Sequence, residues 1–91
     1  MTIKVHFYAG LREIFGTKET EVRIENGADI RALLNLVCDS PRRRAEIFAG
    51  DKLKPLMIIL KNGRHIQHLD GLETRLEAGD DVSVFPAVAG G

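Results

Sequence analysis

A chain of 91 residues builds one domain around one modest core, with no material for a second. Its 13 Lys and Arg balance 13 Asp and Glu, so no net field draws it to nucleic acid or to an anionic membrane. A lone cysteine, Cys38, excludes an internal disulfide and a thiolate metal cluster, and fits a reducing cytoplasm.

Residues 2–8 alternate, with Ile3, Val5 and Phe7 on one face and Lys4, His6 and Tyr8 on the other. That pattern predicts a half-buried strand. Leu11 to Phe15 reads as a short apolar turn or helix closed by Gly16. Thr20, Val22 and Ile24 then alternate with Glu21, Arg23 and Glu25, a second strand that pairs antiparallel with the first. Asn26-Gly27 breaks it. Asp29 is the expected N-cap of a helix whose apolar stripe is Ile30, Leu33, Leu34 and Val37.

Ser40-Pro41 opens a shorter helix that carries Arg42, Arg43 and Arg44 and ends by Gly50. Leu56 to Leu60 is apolar on both parities, which predicts a central strand covered on both faces. Asn62-Gly63 is a hairpin turn, and His65-Ile66 begin the return strand. Leu69, Leu72 and Leu76 are apolar points in a connecting loop. After the Gly79-Asp80 turn, Asp81 to Phe85 is the last strand, and pairing stops at Pro86, which has no N–H to give.

The order is therefore β-β-α-(short α)-β-β-β. It predicts an α+β fold, a mixed sheet packed on one main helix plus a short second helix: a β-grasp (ubiquitin-like) roll. Residues 1–86 form the domain, and 87–91 form a flexible tail. The start of the chain has no signal-peptide pattern. Its longest apolar run, five residues, is far short of the roughly 20 that span a bilayer.

The tail, Ala87-Val88-Ala89-Gly90-Gly91, is the most informative segment. Five small residues reach about 17 Å when extended, and glycine lets enclosing walls close on the backbone. Such a segment can thread a narrow cleft in another protein. Its working group is then the carboxylate of Gly91, ionised at neutral pH and a poor electrophile until activated. The chain has neither G-x-x-x-x-G-K-[ST] nor G-x-G-x-x-G, so ATP-dependent activation falls to a partner. In the last strand, Val82 and Val84 should face the helix, and Ser83 and Phe85 the other way. Phe85, with Pro86 beside it, is a candidate partner anchor at the root of the tail.

Other residues read more simply. His6, His65 and His68 lack an H-E-x-x-H or Cys/His setting and are read as surface histidines, with no metal expected. Cys38 reads as a small, partly buried residue that closes the main helix. The Arg42–Arg44 run reads as a solvated helix face, and Asp80-Asp81 as turn chemistry.

Phe7-Tyr8-Ala9-Gly10 followed by Leu11-Arg12-Glu13-Ile14-Phe15-Gly16 resembles the opening of the MoaD small subunits of molybdopterin synthase, in the wider MoaD/ThiS sulfur-carrier family. The second half carries the resemblance on through Asn62-Gly63, His68-Leu69-Asp70-Gly71-Leu72, Gly79-Asp80-Asp81-Val82 and Phe85-Pro86 to Gly90-Gly91. It covers essentially the whole chain and is closest to the archaeal-type branch. Ala87 stands where that family usually has a second proline.

The resemblance implies a carrier that is not an enzyme by itself and binds no cofactor. An E1-like adenylyltransferase of the MoeB/ThiF type would use ATP to adenylate Gly91, and sulfur would then replace an oxygen. The thiocarboxylate would donate sulfur to a pterin precursor on a large MoaE-type subunit. Alternatives of the same chemistry are a ubiquitin-like modifier conjugated to lysines, or a carrier for thiamine synthesis or tRNA thiolation. A β-grasp ferredoxin is excluded by the single cysteine.

Overall fold

The computed structural model describes residues 1–87. β1 (Thr2–Phe7) buries Ile3, Val5 and Phe7 as its alternation requires. β2 (Glu19–Arg23) pairs antiparallel with it in the register Ile3↔Val22 and Val5↔Thr20. Because β2 lies at the edge of the sheet, Thr20 and Val22 are only half-buried. Between the two strands, α1 (Leu11–Phe15) ends at Gly16, whose φ of 74° is a left-handed closure that favours glycine. This short helix lays the Phe15 ring on that of Phe7, centroids 4.3 Å apart.

The main helix, α2 (Ile30–Val37), starts where expected, with the Asp29 carboxylate accepting the Ala32 N–H at 2.9 Å. It buries Ile30, Leu33 and Leu34 against the sheet. α3 (Pro41–Ile47) begins with the Ser40 hydroxyl accepting the Arg43 N–H, and Pro41 occupies the first turn. Its arginine run is not a solvated face. Arg43 donates to the Ile14 carbonyl at 3.1 Å and to Asp39 at 2.9 Å, with its guanidinium over the Phe15 ring. Arg44 donates to Asn35 and lies 4.4 Å from the Phe48 ring centroid. Only Arg42 of the three is exposed. With α3 laid against α1, two neighbouring arginines reach packed aromatic rings, and their stems cover apolar surface.

A two-residue hairpin, β3 (Phe48–Ala49) with β4 (Lys52–Leu53), follows directly. Its strands are too short to leave a periodic signal, and sequence reading missed it. β5 (Ile58–Lys61) runs antiparallel to β7 (Asp81–Phe85), and β6 (Arg64–His65) completes the sheet in the order β2-β1-β7-β5-β6. The expectation that Leu56–Leu60 is covered on both faces fails. Met57 and Ile59 are buried, but Leu56 is 71% and Ile58 41% exposed. The helices cover only one face, so the other parity of this apolar run meets water. Asn62 and Gly63 take φ of 50° and 84°, the two left-handed residues of a type I′ turn. Leu69 and Leu72 belong to a stretch holding two short 3₁₀ turns, Ile66–His68 and Gly71–Glu73.

β7 enters between β1 and β5. It is parallel to β1, with Val5↔Val82 and Phe7↔Val84, and its pairing ends at Phe85, before Pro86. The result is the mixed sheet on helices of a β-grasp roll. Among the described residues no helix is long and apolar enough to cross a membrane.

Asp80 does more than shape a turn. Its carboxylate accepts from the Asn62 side chain at 2.9 Å and the Glu77 N–H at 2.8 Å, with the Lys61 ammonium 3.7 Å away. Asn62 in turn accepts the Asp81 N–H, and the Asp80 carbonyl accepts the Lys4 N–H. Burial alone would raise the Asp80 pKa. The hydrogen bonds and Lys61 outweigh it and hold the carboxyl below its ordinary value.

Leu33 is fully buried, so Leu33→Ala should cost roughly 2–5 kcal/mol in urea unfolding. The depressed Asp80 pKa predicts stability that is fully present above about pH 4 and is lost as acid protonates the folded carboxylate. Denaturation from about pH 6 to 2 should show a smaller fall for Asp80→Asn, which starts less stable.

Candidate functional site

The root of the tail is where the described structure carries functional promise. β7 alternates as expected: Val82 and Val84 are buried under the helices, while Ser83 and Phe85 turn to the open face of the sheet. Phe85 does not stand alone there. The Tyr8 ring stacks on it, centroids 4.3 Å apart and planes within 8°. The Arg12 guanidinium lies 5.5 Å from the Tyr8 centroid, fixed by a 3.0 Å hydrogen bond from Nε to the Phe7 carbonyl. Ile58 pairs with Phe85 in the neighbouring strand and is half in water.

Tyr8, Phe85 and Ile58 thus form an apolar patch with a cationic rim, on a face whose other positions include Lys4, His6 and Asp81. An aromatic pair at the centre of such a patch suits it to a protein partner. Pro86 and Ala87 continue from it, both half-buried, and Ala87 packs against the core. Val88, Ala89, Gly90 and Gly91 lie outside the described residues.

Of the residues picked out by sequence, Phe85 and Pro86 are in the patch or beside it. Tyr8 and Ile58 were missed as partners of Phe85. Alternation alone places Tyr8 on the polar face of β1, and Ile58 lies in an apolar run that reads as fully covered. The signal for Tyr8 was an aromatic on the polar parity of a strand.

His6 is 3.1 Å from Asp81 and 3.9 Å from Glu19. His65 and His68 meet edge to face at 5.9 Å, and no group of metal ligands forms among the described residues. Cys38 is buried, and desolvation pushes its thiol up to about 11 against the opposing pull of Arg44 and Arg43. A surface groove between the end of β2 and α2, lined by Arg23, Gly27, Asn35 and Leu36, shares no residue with the patch.

Comparison with known proteins bears on what this arrangement serves. The model of the ThiS family matches residues 5–91. Small archaeal modifier protein 3 of Haloferax volcanii is 38% identical over 92 residues, spanning 100% of both chains. A protein of Archaeoglobus fulgidus, provisionally named a sulfur carrier protein, is 33% identical over 91 residues, again across 100% of both. The solution structure of small archaeal modifier protein 1 from Methanosarcina acetivorans superposes with a TM-score of 0.82 at 33% identity, covering 99% of this chain and 96% of that one.

If the patch is a docking surface, Phe85→Ala should weaken binding to an adenylating partner by more than about 1 kcal/mol in titration calorimetry. Loss of the Tyr8 stack should lower stability by only about 0.5–1.5 kcal/mol, less than Leu33→Ala.

Proposed function

The chain belongs to the ThiS family of small ubiquitin-like β-grasp proteins, and from that premise we propose that it is a protein sulfur carrier working through the Gly91 carboxylate. The observation that carries the reading is the juxtaposition at the end of β7. An apolar, aromatic docking patch adjoins the point from which a run of small residues leads to a terminal Gly-Gly. The patch holds a partner, and the tail delivers the carboxylate to it.

The chemistry follows from the inertness of a carboxylate. In the cleft of an E1-like adenylyltransferase of the MoeB/ThiF type, one Gly91 oxygen attacks the α-phosphorus of ATP. The bond to the β-phosphate oxygen breaks, pyrophosphate leaves, and the glycyl adenylate forms. Hydrosulfide furnished by the activating system then adds to the acyl carbon, AMP departs with the C–O electron pair, and the S–H proton is lost to solvent. The product is the Gly91 thiocarboxylate. In this reading the protein supplies reach, slenderness and docking. For the recipient we propose the pterin precursor of molybdenum or tungsten cofactor synthesis, held by a large MoaE-type subunit. The motifs at both ends of the chain support that assignment. The balance of charge and the lone cysteine fit a cytoplasmic site of action.

A second reading is favoured by the modifier relative at 38% identity. The same adenylate, captured by a lysine amine, would give an isopeptide-linked ubiquitin-like modifier.

Deleting Gly91 moves the terminal carboxylate back by about 3.4 Å, a misplacement expected to cost at least about 10²-fold in ATP–pyrophosphate exchange with the cognate activating enzyme. Extending the tail by one residue should block exchange as well, with the fold intact. Equal rates for wild type and both variants would refute the carrier reading. Mass spectrometry of the native protein separates the fates: an oxygen replaced by sulfur at Gly91 marks the carrier, and a branched lysine adduct the modifier.

A further inference from the structure

β2 lies at one edge of the sheet, and its backbone bonds show which of its groups face outward. Antiparallel pairs alternate between residues that exchange two hydrogen bonds and residues that exchange none. Met1 and Ile24 exchange theirs at 2.8 and 2.9 Å, and the Phe7 N–H donates to the Lys18 carbonyl at 2.8 Å. In the register Ile3↔Val22 and Val5↔Thr20, the even-numbered residues of β2 therefore bond β1. Glu19, Glu21 and Arg23 turn their N–H and C=O groups to the outer edge. Thr17 holds those of Glu19: its hydroxyl donates to the Glu19 carbonyl at 2.7 Å and accepts the Glu19 N–H at 3.3 Å. The outward groups of Glu21 and Arg23 have no partner among the described residues. Neither side chain joins an ion pair there.

An open edge of this kind is a template for another strand, and folds blunt it with proline, a bulge or an inward charge. β2 has none of these, and its register is unbroken over its five residues. It does carry charge, in an order that suits a two-fold axis. With a second copy laid antiparallel and Val22 on the axis, Glu21 faces Arg23 of the second copy, and Arg23 faces Glu21 of the second copy. The two free N–H groups and two free carbonyls of each copy then find partners, and both side-chain pairs are of opposite charge. On the helix side, Val22 meets its own counterpart and Thr20 meets Ile24 of the second copy. All three are half-buried in the single chain. Centring the axis on Glu21 or on Arg23 instead opposes two like charges. The first of these also calls on the Glu19 groups that Thr17 already holds.

We propose that β2 is a self-association edge, through which two copies of this chain join their sheets into one. The edge is complementary to itself in free backbone groups, in charge and in apolar matching, which assigns it to a second copy. β1 separates β2 from β7, so the end of β7 stays clear of the junction in each copy. The inference does not depend on the carrier reading.

The ladder is short, so the dimer is weak. Sedimentation is therefore run at about 1 mM protein, where a dissociation constant of roughly 100 µM leaves mostly dimer. The weight-average mass of wild type should be at least about 1.5 times that of the monomer. At the same concentration the Glu21 and Arg23 amides should exchange hydrogen at least about threefold more slowly than after roughly hundredfold dilution. Glu21→Arg sets like charges together and should weaken association at least about fivefold; adding Arg23→Glu should restore it to within about twofold of wild type. The double variant carries the same change at position 21, so its recovery excludes a folding cause. A wild type that stays monomeric would overturn the proposal. So would a dimer whose Glu21 and Arg23 amides exchange as in the monomer, or a double variant no stronger than Glu21→Arg. Protection of those amides only on adding an activating enzyme would overturn it in favour of a strand from that enzyme.

Discussion

The parallel pairing of β1 with β7 is the constraint on which the rest of the molecule depends. It places one of the first segments of the chain and one of its last side by side in the middle of the sheet, with Ile3, Val5, Phe7, Val82 and Val84 all buried. Parallel neighbours need a long crossover, and everything between residues 8 and 80 is that connection. α2 covers the face it crosses, β2 flanks one side and β5 the other. Register is set at the entry to β7, where the Asp80 carbonyl holds the Lys4 N–H and the Asp80 carboxylate and Asn62 hold the neighbouring hairpin. A slip of one residue would exchange Val84 and Phe85 between the two faces. It would put an aromatic under the helices and remove it from the open side.

The two faces of the sheet use the same device for opposite ends. Phe7 and Tyr8 are consecutive, so they point to opposite sides. Each stacks on a phenylalanine with centroids 4.3 Å apart and planes within 8°. Phe7 on Phe15 closes the core beneath α1. Tyr8 on Phe85 builds a rigid apolar platform that the fold leaves uncovered. The Arg12 side chain ties the two together, since it bonds the Phe7 carbonyl and lies over Tyr8. The platform thus inherits its geometry from the core pair one residue away.

Much of this could be read from the amino acids. The helices α2 and α3 begin at Asp29 and Ser40 because a capping oxygen followed by an apolar stripe or a first-turn proline is a local signal. Asn62-Gly63 and Pro86 likewise act through their own backbone preferences. What escaped reading depends on tertiary neighbours. Arg43 and Arg44 look solvated until α3 is laid against α1 and the rings of Phe15 and Phe48. The run Leu56–Leu60 announces burial, but whether both parities are covered depends on which faces the helices occupy. The β3–β4 hairpin is shorter than any periodicity. At the site, Phe85 was visible from strand alternation, whereas its pairing with Tyr8 and Ile58 required knowing that β7 lies between β1 and β5. Gly91 is legible only as sequence, by its position and its neighbours.

Cys38 has a consequence of a different kind. A high-energy acyl end tethered to its own domain is exposed to self-capture, and a thiolate within reach would be the most dangerous trap. The chain has one thiol. It is 7% exposed and, with a pKa of about 11, is overwhelmingly protonated at neutral pH, so it offers almost no nucleophile. On the proposed carrier reading, an activated Gly91 would meet almost no thiolate on its own domain with which to form an internal thioester. Its chemical silence is what would let the reactive end be handed on intact.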